Sequence, residues 1–456
     1  MGKRGSGRRR LGAIVALVPL LVVAFGMGTP PAFADYYPSN ADVVGVGSDT
    51  VQYGIDVLAG GFINGVTGYN AIGNINRLIN IDATADANAR LAYSADGLGT
   101  GTCAPGIGGT AGTGGQTGTH SDSPCYLNPT VVLREGLPPV QRPNGSGAGY
   151  DALQREITAG THAIDFSRSS VCQGSGAGCR GKVVSNVTSV QVANDPFAIM
   201  VANGTHAPSL SAPQLKAIYE ASTPNCFHWG DTINGVSVGG TGTDLILPII
   251  PQVGSGTISA FKSAINVTNF GNCGQYFEEN DPQAIFEAAN PLDAIEPMSG
   301  GRLNLYTGKD GNGAAIPGVT GFFNDPSCPE AATTPAGCVG GAKVLSPAVH
   351  LVTTGSPTDG NAVWNTVRPL YVYFRSADIA ETAPYGTDHP FQPGSTLNWV
   401  RALFYNPCSI GQVGCITISG TTYGPGGQPY IAKSAGQALL RLSGLNATYV
   451  VTSGGP

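Results

Sequence analysis

Three stretches of this chain share one layout: an apolar run, a short turn of glycine and hydroxyl residues, then a helical pattern. They are VVGVGSDT (43–50), RPNGSGAG (142–149) and PQVGSGT (251–257). A fourth, AIDFSRSS (163–170), places Ser167, Arg168 and Ser169 after a strand. A strand handing over to a helix through a tight turn is the repeating unit of a mainly parallel sheet with helices on its faces. Other segments agree. SVQVAN and PFAIMVAN read as strands rich in β-branched residues, DLILPIIPQ as a buried strand, and NTVRPLYVYFR (365–375) as a long one. SAPQLKAIYEAS reads as a helix, because Ser211 can cap it and Leu215, Ile218 and Tyr219 share a face. LNWVRALFYN and SAGQALLRLSG also look helical. Residues 90–95 read as a strand, and 97–124 and 301–345 as loops. The expected fold class is α/β, and no repeat of fixed period is visible.

The turns carry the chemical signal. A helix N-terminus offers free N–H donors and a positive partial charge. Glycine lets an anion approach them closely, and serine or threonine adds a hydroxyl donor. One such turn is usually an ordinary helix cap. Several in one α/β chain could surround a tetrahedral oxyanion with neutral donors. GSGAG recurs at 174–178 with no long helix after it, so the string alone is not a site.

Composition narrows the rest. Charged residues make up 11% of the chain, too few for a basic nucleic-acid-binding surface or a charge-rich disordered chain. The 67 Gly and 33 Pro show no G-X-Y period, so collagen is excluded. At the start, Lys3, Arg4, Arg8, Arg9 and Arg10 precede an apolar run from Leu11 to Met27 and then TPPAFA. That pattern reads as a secretory signal cleaved near Ala34–Asp35, with no lipid-anchor cysteine at the junction and no second membrane-length run. A secreted, soluble protein is expected. The leader holds five basic and no acidic residues, so of 23 basic and 29 acidic side chains the mature chain keeps 18 and 29, a net charge of −11. An anion site must then be local, because the overall field opposes anions.

Ten cysteines suit export. Their spacing suggests neighbour pairs: Cys103–Cys125, Cys172–Cys179, Cys226–Cys273, Cys328–Cys338 and Cys408–Cys415. Connectivity is not fixed by sequence. No metal-ligand spacing of cysteine or histidine occurs, so neither metal nor cofactor is expected.

GVGSDTVQ, NGSGAG, IDFSRSS, LSAPQLKAIYEASTPNCFHW and GSGTISAF follow one another in that order. In this the chain resembles the PstS-like phosphate-binding proteins of ABC transporters, in a divergent actinobacterial exported form, over roughly residues 42–300. RPLYVYFR resembles the family's returning strand. The resemblance implies a two-lobed type II periplasmic-binding-protein (Venus-flytrap) fold, here with Gly-rich, disulfide-closed insertions. Lobe I would hold 35–198, lobe II 199–300, and 301–456 would return to lobe I. It implies phosphate or a similar oxyanion held between the lobes, an ABC permease as partner, no nucleic acid, and a monomer. Residue by residue, the implied ligand-binding positions are Thr50 and Val51, Ser146 and Gly147, and Ser255, Gly256 and Thr257.

Two departures stand out. The family carries an Arg shortly before GSGT, where this chain has Pro251 and Gln252. Its third turn reads S-D-x-P, where this chain has Ser169, Ser170 and Val171. Arg168, between Ser167 and Ser169, is the expected replacement cation. Asp49, beside Ser48, is the expected acceptor for a protonated ligand.

No catalytic set is visible, and no enzyme activity is expected. Gly235–Gly239 matches G-x-S-x-G but sits among turn residues, unlike a nucleophile elbow. The other classes left open are a secreted carbohydrate or cell-wall binding module, acting through exposed aromatics, and an exported hydrolase.

Overall fold

One sixteen-residue strand, Val187–Ala202, joins two halves of the molecule. The computed structural model describes residues 38–61, 65–83, 130–176, 178–204, 206, 209–238, 242–252, 254–282, 284–285, 290–317, 323–324, 338–339, 342–343, 349–380 and 397–452. The expected leader, the strand at 90–95, the loop at 97–124 and most of the loop at 318–345 lie outside them.

In chain order the main sheet comprises β1 Val43–Gly47, β2 Leu78–Asn80, β3 Phe166–Ser169, β4 Val187–Ala202 and β5 Leu247–Pro251. It continues with β6 Gln275–Phe277, β7 Ala294–Ser299, β8 Val349–Val352, β9 Asn365–Arg375 and β10 Asn446–Thr452. These ten strands run in the order β6-β5-β7-β4-β9-β3-β1-β2, with β8 and β10 also paired to β4. The helices used below are α1 Asp49–Gly60, α2 Gly145–Ala159, α3 Ala212–Glu220, α4 Gly256–Ala264, α5 Gly300–Tyr306 and α6 Ser434–Leu442.

The first part of β4, Val187–Asn194, pairs with β9 and β10. Its last part, Phe197–Ala202, pairs with β7 and β8. Around the first part, β1 runs parallel to β2 and β3. Around the second, β5 runs parallel to β6 and β7. β4 and β9 cross between the halves antiparallel, with Asp195 opposite Arg368 and Pro196 opposite Val367.

Period-two alternation gives each half a core on both sheet faces. In lobe I, Leu370, Val372 and Phe374 pack with Val51, Ile55 and Leu58 of α1 and with Leu439 and Leu440 of α6. The intervening Tyr371 and Tyr373 pack with Tyr150 and Leu153 of α2. In lobe II, Phe197, Ile199 and Val201 pack with Leu215 and Ile218 of α3 and Phe261 of α4. Met200 and Ala202 pack with Ile249, Met298 and Leu303 on the other face. The molecule is thus a two-lobed α/β protein. Ser211 caps α3 as expected, in a full capping box with Gln214. Within the stretch read as loop after residue 300, Gly300–Tyr306 is helical. It is capped by Ser299, whose Oγ accepts from Arg302 N.

Three of the expected disulfides are formed: Cys172–Cys179, Cys226–Cys273 and Cys408–Cys415. Cys103, Cys125 and Cys328 lie outside the described residues. Among the described residues, no helix is long and apolar enough to cross a membrane.

Candidate functional site

The strand-to-helix turns from the two lobes meet at one buried centre. From lobe I come Ser48, Asp49 and Thr50 at the start of α1, and Ser146 in the first turn of α2. From lobe II come Ser255, Gly256 and Thr257 at the start of α4. All are shielded from solvent. Thr50 Oγ1 lies 3.4 Å from Thr257 Oγ1, across 207 residues of sequence. Gly147 N donates to Gly254 O at 3.1 Å. A Cβ on Gly256 would fall 2.2 Å from Ser146 Oγ and 2.3 Å from Ser170 Oγ, so the lobes approach this closely only with glycine there. A Cβ on Gly147 would fall 2.3 Å from Arg180 Nη2, the far end of a flexible side chain that can shift aside.

Arg368 of β9 bridges the lobes. Its Nη1 donates to Thr257 Oγ1 at 2.9 Å and its Nη2 to Thr50 Oγ1 at 3.3 Å. Its Nε donates to Asp195 Oδ2 at 2.9 Å, and its guanidinium lies 4.2 Å from the Phe197 ring centre. Asp195 also accepts from Ser299 Oγ at 2.7 Å and Gly301 N at 3.0 Å. The cation is thereby held from four sides.

A buried polar run, Glu278-Glu279-Asn280-Asp281, completes the centre. Asn280 Nδ2 donates to Thr50 Oγ1 at 3.0 Å and Asp49 Oδ2 at 3.3 Å, and its Oδ1 accepts from Ser299 N at 3.1 Å. Glu279 Oε2 accepts from Ser255 Oγ at 2.8 Å and Thr257 N at 3.3 Å. A carboxylate of the protein itself therefore occupies the N-terminus of α4, where free N–H groups favour negative charge. Burial, with the nearby Asp49 charge, raises the Glu279 pKa above its ordinary value. Gln252, at the place of the family's arginine, organises this run. It donates to Glu278 Oε1 at 2.9 Å and accepts from Glu279 N at 2.7 Å.

Several expected positions have other roles. Arg168 is not the central cation. It lies on β3, fully buried, and donates to the carbonyls of Ser48, Gly45, Gly47 and Ile81 and to Asn80 Oδ1. With its N–H groups so engaged, it ties β1 to the segment after β2 and has no fork to offer a ligand. Ser169 Oγ donates to Val171 O at 2.5 Å and accepts from Gln173 Nε2 at 2.7 Å. Ser167 Oγ donates to Arg168 O at 3.4 Å. The third turn instead presents Ser170, whose Oγ lies 3.2 Å from Ser146 Oγ. The side chain of Val51 packs in the lobe I core, and its backbone N–H, the group expected to meet the ligand, lies in the first turn of α1. Asp49 is at the centre as expected, but it also pairs with Arg302 Nη2 at 3.5 Å. Among the described residues, the buried Ser48 Oγ has no hydrogen-bond partner.

Arg368, Arg302, Ser170 and the 278–281 run were absent from the sequence-derived set. Arg368 begins RPLYVYFR, a segment legible only as a strand. The polar run carried a usable signal: four charged or amide residues in a row, in a chain with 11% charged residues.

Elsewhere, Ser237 of the G-x-S-x-G string is exposed on a two-strand hairpin with Thr232–Ile233. Among the described residues no helix lies between it and β5, so it is no nucleophile elbow. All three tryptophans, Trp229, Trp364 and Trp399, are buried in the cores, where no sugar ring could stack on them. His206, Asp244 and Asp293 lie within 4.8 Å of one another and could share a metal ion. His206 Nε2 lies 3.6 Å from Asp244 Oδ2 and 3.1 Å from Asp293 Oδ1, and Trp229 Nε1 donates to Asp293 Oδ1 at 3.1 Å, so each has a partner within the protein.

No protein-family model matches the chain, and no curated protein matches it. Solved structures do. A Vibrio cholerae ABC-type phosphate transport receptor matches at 13% identity and TM-score 0.35, over 75% of this chain and 90% of that one. A putative phosphate ABC transporter substrate-binding protein with bound phosphate, from Clostridium perfringens, matches at 11% and 0.38, over 75% and 88%. PstS from Borrelia burgdorferi matches at 12% and 0.29, over 73% and 87%. The chain is similar to these proteins at a low level of identity and superposition.

Proposed function

We propose that this protein is a solute-binding protein that takes a tetrahedral oxyanion of the phosphate type between its lobes and leaves it chemically unchanged. The observation that carries this reading is Arg368 bridging Thr50 and Thr257, the hydroxyls at the starts of α1 and α4 on opposite lobes. A cation, two helix N-termini and the hydroxyls of Ser48, Ser146, Ser170 and Ser255 converge there. Ser255 Oγ and Thr257 N, at the start of α4, already donate to a carboxyl oxygen, that of Glu279. An incoming oxyanion would exchange with the Thr50–Thr257 and Glu279 contacts, so entry requires the lobes to part. Reclosure is then favoured because only the closed arrangement offers donors from both lobes.

Lobe limits near residues 198 and 300 belong to this proposal, with β8 and Trp364 packing on lobe II from the returning segment. So do secretion, monomeric action and delivery to an ABC permease. The formed disulfides support an oxidising compartment.

Isothermal titration of the mature protein with phosphate, arsenate and sulfate tests the reading. Saturable one-site binding of phosphate and arsenate is expected. No heat and no thermal shift with any of the three would sink it.

A further inference from the structure

A half-open cavity of about 540 Å³ adjoins the oxyanion seat. Ser170 and Arg368 line both. The cavity wall is otherwise mainly apolar, with Val171, Phe197, Ala260, Ala264, Pro369 and Tyr371 among its residues. Its size falls in the range of sites for organic small molecules, roughly 300–1,000 Å³. Inorganic phosphate has five heavy atoms, and one held by the turns would leave this space to water.

The wall is also pre-formed. The Cys172–Cys179 bridge closes its loop. Three backbone bonds tie that loop's two arms: Arg180 N to Cys172 O at 3.0 Å, Gly181 N to Gly174 O at 2.8 Å and Lys182 N to Gln173 O at 2.7 Å. From the loop, Arg180 Nη1 crosses to lobe II and donates to Gly254 O at 3.3 Å and Ser259 Oγ at 3.2 Å. Val367, 61% exposed, leaves an apolar rim at the mouth. The design is polar and cationic at one end and apolar along the sides. That complements a ligand with an anionic head and an apolar body.

Building on the oxyanion-binding reading above, we infer that the ligand is an organic phosphate monoester. Its phosphoryl group meets Ser170, Arg368 and the turns, and its apolar or aromatic group fills the cavity beside the Cys172–Cys179 loop. No bond is made or broken.

The test compares inorganic phosphate with phenyl phosphate by isothermal titration, on the wild type and on Ala264→Trp. Ala264 is exposed on α4, so tryptophan fills cavity space without entering the core. For the wild type, phenyl phosphate should bind at least about tenfold tighter than phosphate, the gain from partly withdrawing one aromatic ring from water. Ala264→Trp should abolish that preference and leave phosphate affinity within about twofold. Val367→Asp, at the exposed rim, should weaken the ester selectively as well. Phosphate binding with no preference for the ester, or a preference that both variants retain, would overturn the inference while the oxyanion reading stands. Binding of neither ligand by the folded wild type would instead remove the oxyanion reading and this inference with it.

Discussion

Replacing Arg368 by methionine removes the cation that touches both lobes' threonines while keeping a side chain of similar length. Four sets of interactions change, the first being loss of the hydrogen bonds to Thr50 Oγ1 and Thr257 Oγ1. Asp195 loses its 2.9 Å ion pair but keeps Ser299 Oγ and Gly301 N. Breaking one side of a buried pair costs about 3–5 kcal/mol. The two surviving donors place this case near the lower end, about 3 kcal/mol. The contact with Phe197 is partly kept by the methionine. Ligand affinity loses at least one charge-assisted hydrogen bond, worth about 1.5–3 kcal/mol, or roughly 10–150-fold in Kd. Urea denaturation and isothermal titration with phosphate on one preparation measure both quantities. Arg168→Met is the control, since Arg168 holds the backbone of β1 and not the centre. It should lower stability and weaken binding less. Unchanged phosphate affinity in folded Arg368→Met would refute the role given to this arginine.

Gly256→Ala puts a methyl group within 2.3 Å of two serine oxygens, so Ser146 and Ser170 must turn away or the lobes must stay apart. It should weaken phosphate binding about tenfold or more while the melting temperature changes little, because alanine favours the helix; calorimetry and small-angle scattering read the two effects. Glu279 titrates above its ordinary value of 4.5, so the folded protein retains a proton that the unfolded chain has lost. Its contribution therefore weakens as pH rises from about 4.5 through the raised value. Glu279→Gln keeps the acceptor oxygen without the charge; it should match the wild type near pH 4 and exceed it in stability at pH 8, and an identical pH–stability curve in urea melts would count against this. Opening Cys226–Cys273, with its separation of 47 residues, should cost about 4 kcal/mol by loop entropy, against about 2.4 for Cys408–Cys415, separated by 7. Paired Cys→Ser variants in denaturant melts give that ranking, and equal losses would contradict it.

Local features made much of the fold legible. Strand, turn and helix recur within a dozen residues, and each turn's Ser or Thr lies beside the helix it opens, so α1 and α4 with their strands, and α2, were readable in the linear chain. The same holds for three disulfides between sequence neighbours. The sequence also limited what the site could be: with so little charge, any anion had to be held by N–H groups, hydroxyls and a few placed cations. What it could not decide is which cation that is. Arg168 stands inside a turn and Arg368 inside a strand, so proximity in sequence favoured Arg168. Tertiary structure reverses the choice, because β3 places Arg168 over the carbonyls of β1, and the crossing of β4 and β9 sets Arg368 opposite Asp195 at the junction of the lobes. The contact of Glu279 with α4, and the cavity beside the Cys172–Cys179 loop, likewise depend on packing between elements far apart in sequence. Local pattern fixes which donors exist, and only long-range packing determines which of them remain available to a ligand.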